Sequence, residues 1–377
     1  MNTIKTVLLS TASLPHEGVA SWTTELNYLL KNDNELDYII GPYSNIKINK
    51  PKQVFIEKLT FLDKIKRKIN YNNRFNNYLR ALNKVLKLED KIILQVKDNF
   101  GLLKSILFFI EKNKLRKRIY VQYHYHSFSP FTTDEKILSQ IDELVLLTED
   151  SYHHMKNTLD TFPVRVSINN DGVDSANFKP VNKTNKKNLR EELDLSTDKL
   201  IFVWCSQDRK KKGLDIILQV WQEIFKNNNN IELLVFGVQK NINIKGVKIM
   251  GLVPNHSLIK YYQCSDFYLF PTIWLEGFGL SLVEALKCGS YCISAENGST
   301  KYILKNGEYG TLVKKPNIIS CWVSEIEKAI LTYENNNKIN PFLKNIPQNI
   351  YDIKDWCKRY NNNIIEAKKS FKNRYYI

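Results

Sequence analysis

The sequence predicts an α/β protein of two doubly wound domains, each a parallel sheet covered by helices on both faces. Three observations predict it. The chain has 377 residues. Single hydrophobic cores stop growing well below that size, so two domains are expected. Short, near-continuous apolar runs rich in β-branched residues alternate with amphipathic helical stretches, the pattern of strands buried on both faces. That alternation occurs twice, once on each side of a polar segment at 179–199. Hydrophobic residues at 43% and aromatics at 12% supply two packed cores and exclude global disorder.

The first domain is expected over 1–178, with strands at 6–10, 36–40, 91–96, 118–123 and 143–147. Between the second and third lies a long basic stretch, 57–88. Phe61, Leu62, Ile65 and Ile69 fall there at helical spacing, so it reads as a helix with one packed face or as a surface-binding helix. The segment 179–199 is polar and charged with a helical piece in its middle, and reads as a linker or surface insertion. The second domain, 179–350, has strands expected at 200–205, 232–236, 247–250, 267–270, 291–294 and 310–313. The tail 351–377 reads as a helix packing back toward the first domain, with Trp356 as its anchor.

Lys and Arg number 55 against 39 Asp and Glu, a net charge of +16. Such a field attracts phosphates on nucleic acid, anionic lipid or a small phosphorylated substrate. Richness in Lys, Asn and Ile together also fits base composition as a source of charge. No helix-turn-helix, zinc or RNA-binding motif is visible, so nucleic acid is not an expected partner. The six cysteines form no C-x-x-C pair, which fits reduced thiols and a cytoplasmic location. The opening MNTIKTVLLSTASLP has too short an apolar run for a signal peptide. The run SILFFI at 105–110 is far below a membrane span. Any membrane contact is therefore peripheral, and the inner face of the plasma membrane is the candidate surface. Lys58, Lys64, Lys66, Arg67, Lys68, Arg74, Arg80, Lys84 and Lys87, interleaved with apolar residues, are the groups that would meet anionic headgroups.

The strongest chemical signal is FYLFPTIWLEGFGLSLVEALKC at 267–288. An apolar strand ends at Pro271. A loop with Glu276, Gly277 and Gly279 leads into a helix from about Leu280. The glycines allow close backbone approach to a ligand, and the helix N-terminus offers unpaired N–H groups to an anion. Glu276 precedes the helix and Glu284 lies about one turn inside it. The two carboxylates could accept hydrogen bonds from hydroxyls at the two ends of a sugar nucleotide. For Glu284 a solvated helix carboxylate is the other reading.

The pair Glu276 and Glu284, inside EGFGLSLVEALKCG, resembles the E-x7-E signature of retaining family 4 glycosyltransferases of the GT-B fold. Other stretches resemble that family in the expected order: EGVASWTTEL (17–26), INNDGVDSANFKP (168–180), CSQDRKKKGLDIIL (205–218), GLVPNHSLIKYYQCSDFYLFPT (251–272) and ENGSTKYILKNGEYGTLV (296–313). They span about 17–313, and 60–130 is the least similar region. The resemblance implies two Rossmann-like domains facing a central cleft. It also implies a nucleotide-sugar donor, UDP-linked, on the second domain, and a glycan or glycolipid acceptor of the lipopolysaccharide or capsule type on the first.

By the same resemblance, Glu276 binds donor-sugar hydroxyls and Glu284 the ribose. The N–H groups around Gly277, Phe278, Gly279 and Leu280 receive the distal phosphate. Backbone near Leu252 and Val253 meets the base, and Gly18 shapes the loop approaching the phosphate and acceptor. Lys212 is the Lys-Gly lysine that stabilises the leaving diphosphate. The family often has Gly-Arg six residues earlier. Here Cys205 and Ser206 stand in that stretch, so Arg209 or Lys211 is assigned the supporting charge, as in the lipopolysaccharide-core subgroup. A solvated basic loop is the alternative for DRKKK. His124, with His126 as fallback on the same strand face, matches the histidine near the sugar and acceptor. No metal or other cofactor is expected, since no D-x-D motif in strand context and no ligand cluster appears. The competing readings are an inactive GT-B homologue serving as a partner subunit and a basic nucleic-acid-binding protein.

Overall fold

The computed structural model describes residues 4–16, 21–61, 63, 65 and 74–374. The chain divides into two compact units, one of Met1–Asp171 with Lys354–Ile377 and the other of Gly172–Ile353.

The first unit holds a seven-stranded parallel sheet: β1 (Lys5–Leu9), β2 (Tyr38–Gly41), β3 (Lys52–Phe55), β4 (Ile92–Lys97), β5 (Ile119–His124), β6 (Glu143–Leu146) and β7 (Arg165–Ile168), in the order β3-β2-β1-β4-β5-β6-β7. Helices α1 (Ser21–Lys31), α2 (Asn76–Leu86), α3 (Phe100–Lys112), α4 (Glu135–Ser139) and α5 (Glu149–Thr158) connect the strands. β4 and β5, IILQVK and IYVQYH, are buried at every position. Their two glutamines pair with each other, Gln95 Nε2 donating to Gln122 Oε1 at 2.6 Å, so neither amide is left unsatisfied in the apolar sheet. The Asn99 side chain caps α3 by accepting from the Leu102 N–H at 2.9 Å. β1 lies between β2 and β4, so successive crossovers depart in opposite directions there. Open α/β sheets bind ligands at such a switch point, outside the carboxyl ends of the strands.

The second unit repeats the design with six parallel strands: β8 (Leu200–Cys205), β9 (Ile231–Phe236), β10 (Val247–Gly251), β11 (Phe267–Phe270), β12 (Tyr291–Ala295) and β13 (Thr311–Val313). Their order is β10-β9-β8-β11-β12-β13, with the switch between β8 and β11. Its helices are α6 (Lys183–Glu192), α7 (Leu214–Asn227), α8 (Asn255–Cys264), α9 (Leu280–Lys287), α10 (Thr300–Ile303) and α11 (Ile319–Asn335). The polar segment expected as a linker or insertion carries α6, and α6 is tied into this unit. Arg190 Nη2 and Lys186 Nζ reach the buried Asp266 carboxylate at 2.6 and 2.7 Å. Tyr333 Oη and the Ile201 N–H also donate to it, each at 2.7 Å. Burial pushes the Asp266 carboxyl up, but Lys186 and Arg190 outweigh it and hold the group below the ordinary carboxylate value.

The last helix, α12 (Ile353–Asn373), lies on the first unit's sheet. Ala367 and Phe371 pack with Ile4, Ile93 and Tyr120. Tyr360 Oη donates to Gln95 Oε1 at 2.7 Å. Arg359 donates to Asn169 Oδ1 and to the Asn170 carbonyl at 3.1 and 3.0 Å.

Candidate donor and acceptor sites

In the second unit the site is built on one glycine. After β8 the chain makes a tight turn at Lys210–Lys212 and ends it on Gly213 at φ +74°. A Cβ there would lie 1.9 Å from the Pro271 carbonyl oxygen. Only glycine therefore lets the basic turn lie against the end of β11. The contact is sealed by the Ile273 N–H donating to the Lys211 carbonyl at 3.0 Å. Lys212 Nζ consequently stands 2.7 Å from Glu276 Oε2, with the two side chains 20% and 15% exposed. Thr272 Oγ1 lies 3.4 Å from the same oxygen. The Lys211 ammonium takes a different place, 4.1 Å from the centroid of the Trp274 ring. Arg209 is exposed.

The backbone of the acidic loop is clamped by Asn297, Gly298 and Ser299. Gly298 bridges Glu276, and a Cβ on Gly298 would come within 2.3 Å of the Glu276 nitrogen. The Ser299 N–H donates to the Glu276 carbonyl at 2.9 Å, and its hydroxyl to the Gly277 carbonyl at 2.7 Å. Asn297 Nδ2 donates to the Thr272 carbonyl at 2.8 Å. The sequence reading assigned these three residues no role. Their signal was the Asn-Gly-Ser turn itself, in a stretch already noted for its resemblance.

Phe278 is buried edge-on to Tyr351 at 5.4 Å, so its side chain anchors the loop and only its backbone is available to an anion. Gly279, at φ +98°, opens α9 without a side-chain cap. The first-turn amides at Leu280 and Ser281 are then free of a competing side chain. Glu284, one turn further, is partly buried rather than fully solvated. It sits among Cys205, Tyr262 and Tyr268, and burial raises its pKa to about 8, against the lowering influence of the Tyr262 hydroxyl. Leu252 is exposed and Val253 partly so, after β10. The Gly237 N–H joins this loop to the end of β9 by donating to the Gly251 carbonyl at 2.8 Å.

In the first unit, His124 ends β5 and is buried, with Nε2 3.2 Å from Gln122 Oε1 and its ring 5.4 Å from that of Tyr360. Burial, aided by the Lys97 charge, pulls its pKa down to about 3, so the imidazole is neutral. His124 and His126 do share a small cavity, lined also by Lys97, Asp171 and Tyr360. Beside it, at the switch point, a cavity of about 190 Å³ is lined by Ser10, Thr11, Lys97, Asp98 and His126. Lys97 Nζ lies 4.0 Å from Glu25 Oε2, both buried. Burial also raises the Asp171 carboxyl to about 6. Glu25, Lys97, Asp98 and Asp171 were missed in the sequence. Lys97 and Asp98 could have been found by their place at the end of a central strand. Gly18 lies outside the described residues, as do Leu62, Ile69, Lys64, Lys66, Arg67 and Lys68 of the basic stretch. Among the described residues no group of three or more His, Cys, Asp or Glu is placed to hold a metal ion. No helix among them is long and apolar enough to cross a membrane.

Sucrose-phosphate synthase from Thermosynechococcus elongatus matches 98% of this chain over 100% of its own, with a TM-score of 0.74 at 14% identity. The chain has the GT-B fold. An Anabaena protein crystallised with UDP and glucose matches 97% of this GT-B chain at a TM-score of 0.66 and 13% identity, over 100% of its own length. Residues 185–345, most of the second GT-B unit, match the family described as "Glycosyl transferases group 1". The D-inositol 3-phosphate glycosyltransferase of Rhodococcus erythropolis is 22% identical over 48% of this chain and 44% of its own. The phosphatidylinositol N-acetylglucosaminyltransferase GPI3 subunit of Saccharomyces cerevisiae is 23% identical over 59% of this chain and 50% of its own. The chain thus spans about half the length of these curated relatives.

Proposed function

We propose that the protein is a metal-independent, retaining glycosyltransferase. It moves a sugar from a nucleotide-sugar donor, UDP-linked, to a glycan or glycolipid of a bacterial surface polysaccharide. The observation that carries this reading is the Lys212–Glu276 pair, 2.7 Å apart, just ahead of the uncapped start of α9. Breaking the anomeric carbon–oxygen bond leaves a diphosphate that gains negative charge while the sugar becomes cationic. A fixed ammonium and oriented backbone N–H groups are the preorganised help such a transition state needs, without a divalent ion. Glu276 holds Lys212 in place and keeps lone pairs for donor-sugar hydroxyls. Glu284 takes the ribose hydroxyls one turn along α9. Arg209 supplies the second cation, since Lys211 is engaged on Trp274. The neutral His124 serves the first unit's side of the reaction by hydrogen bonding rather than by charge. The second unit is the donor unit and the first the acceptor unit. The basic stretch at 58–87 holds the enzyme at an anionic membrane surface through cations such as the exposed Lys58, Arg74 and Lys87, while Arg80 and Lys84 are paired with Asp63 and Glu57.

A thermal-shift and hydrolysis screen against UDP-, GDP-, ADP- and CMP-sugars tests the reading. One nucleotide class should raise the melting temperature and be slowly hydrolysed. A protein indifferent to all four at millimolar concentration would reject it.

A further inference from the structure

We propose that the cavity at the switch point of the first unit binds one uncharged sugar ring, with Asp98 as the residue that selects against a phosphorylated one. The proposal rests on the reading of the first unit as the acceptor unit and names what that unit accepts. Every residue that carries it lies in the first unit.

The backbone marks the place. Asp98 directly follows β4, a central strand, and takes φ +41°. Few residues other than glycine adopt this left-handed conformation, and those that do cluster at functional sites. Two hydrogen bonds hold it. The Asp98 N–H donates to the His124 carbonyl at 2.8 Å, and the His126 N–H donates to Asp98 Oδ1 at 3.2 Å. Asp98 thereby stands exposed on the lining of the cavity.

Size and lining choose the ligand. The cavity of about 190 Å³ has the volume of about six waters, the scale of one sugar ring. Leu9 and Leu26 line it together with Thr11, Lys97, Asp98 and His126. A pyranose divides in the same way, with C–H faces between hydroxyls that both donate and accept. Lys97 donates to such hydroxyls, Asp98 accepts from them, and the Thr11 hydroxyl and His126 imidazole do either.

Charge sets the selection. Glu25 and Asp171 share a hydrogen bond, which requires a proton between the two carboxyls and leaves the pair with one negative charge. Lys97 Nζ, 4.0 Å from Glu25 Oε2, offsets that charge. The next cation, Arg359, donates to Asn169 Oδ1 and the Asn170 carbonyl. Asp98 adds a further negative charge, which accepts from a hydroxyl and repels a phosphate.

The test is a saturation-transfer NMR titration of the full chain. The probes are the methyl glycosides of glucose, mannose, galactose and N-acetylglucosamine, with glucose 6-phosphate and mannose 6-phosphate beside them. Wild type should bind at least one glycoside, and the phosphates more weakly by about tenfold or more. Asparagine keeps the left-handed backbone at little cost, so Asp98→Asn should fold as wild type does. It should weaken glycoside binding by about tenfold and bring the two classes of probe level. No glycoside bound by wild type would overturn the proposal. So would phosphates bound as tightly as glycosides by wild type, or glycoside binding unchanged in Asp98→Asn. A wild type that binds glycoside but no nucleotide sugar would instead reject the donor assignment.

Discussion

Replacing Glu284 by Gln keeps the shape of the side chain and removes its titration. In the folded, ligand-free protein the carboxyl loses its proton only near pH 8, against an ordinary value of 4.5. Between those two values the folded chain holds one proton that the unfolded chain has released. Stability contributed by the neutral form is therefore complete below pH 4.5 and declines as pH rises toward 8. The full gap corresponds to about 5 kcal/mol. Glu284 keeps some solvent contact, which reduces the expected effect to ~2–3 kcal/mol. Urea unfolding of wild type and Glu284→Gln from pH 5 to 9 measures it. The variant should match wild type near pH 5 and exceed it by that amount at pH 9. Parallel stability curves across the range would refute the burial argument.

Two further outcomes follow from the same geometry. Gly213→Ala should cost at least ~1–2 kcal/mol from its left-handed backbone alone. The clash with Pro271 should also part Lys212 from Glu276, lowering turnover by about 10²-fold. Denaturant unfolding with nucleotide-sugar hydrolysis checks both, and unchanged turnover would contradict the role of that contact. Turnover should survive EDTA, because the proposed account assigns the diphosphate's charge to Lys212 and the backbone N–H groups at the start of α9 rather than to a divalent ion. Loss in EDTA restored by Mg²⁺ or Mn²⁺ would contradict it.

The central strands were legible because strands buried on both faces must be apolar throughout. β8 and β11 lie at the residues expected, and most others differ by one or two positions at an end. β3 and β7 went unread. KQVF and RVSI sit at the two sheet edges, where polar residues are tolerated and the apolar run breaks. The helix α6 looked like a linker because its sequence is almost wholly polar. Its docking depends on Lys186 and Arg190 reaching Asp266, about 80 residues away, which no local pattern encodes. The site divides in the same way. Glu276 and Lys212 each stood out through type and setting, but that they meet depends on the clearance between Gly213 and Pro271. Glu284 had two open readings, and its partial burial beside Tyr262, which no local pattern encodes, sets it apart from a fully solvated helix carboxylate. Glu25, Lys97 and Asp171 come from three distant segments and carry no joint sequence signal.

The central claim is that Lys212, held by Glu276, stabilises the leaving diphosphate of a nucleotide sugar. Its most direct test is single-turnover cleavage of the nucleotide sugar found in the screen, by purified Lys212→Ala with wild type alongside. The account expects a folded variant with its melting temperature within a few degrees of wild type and a cleavage rate lower by about 10²-fold or more, about 3 kcal/mol. A folded Lys212→Ala that cleaves at the wild-type rate would contradict it.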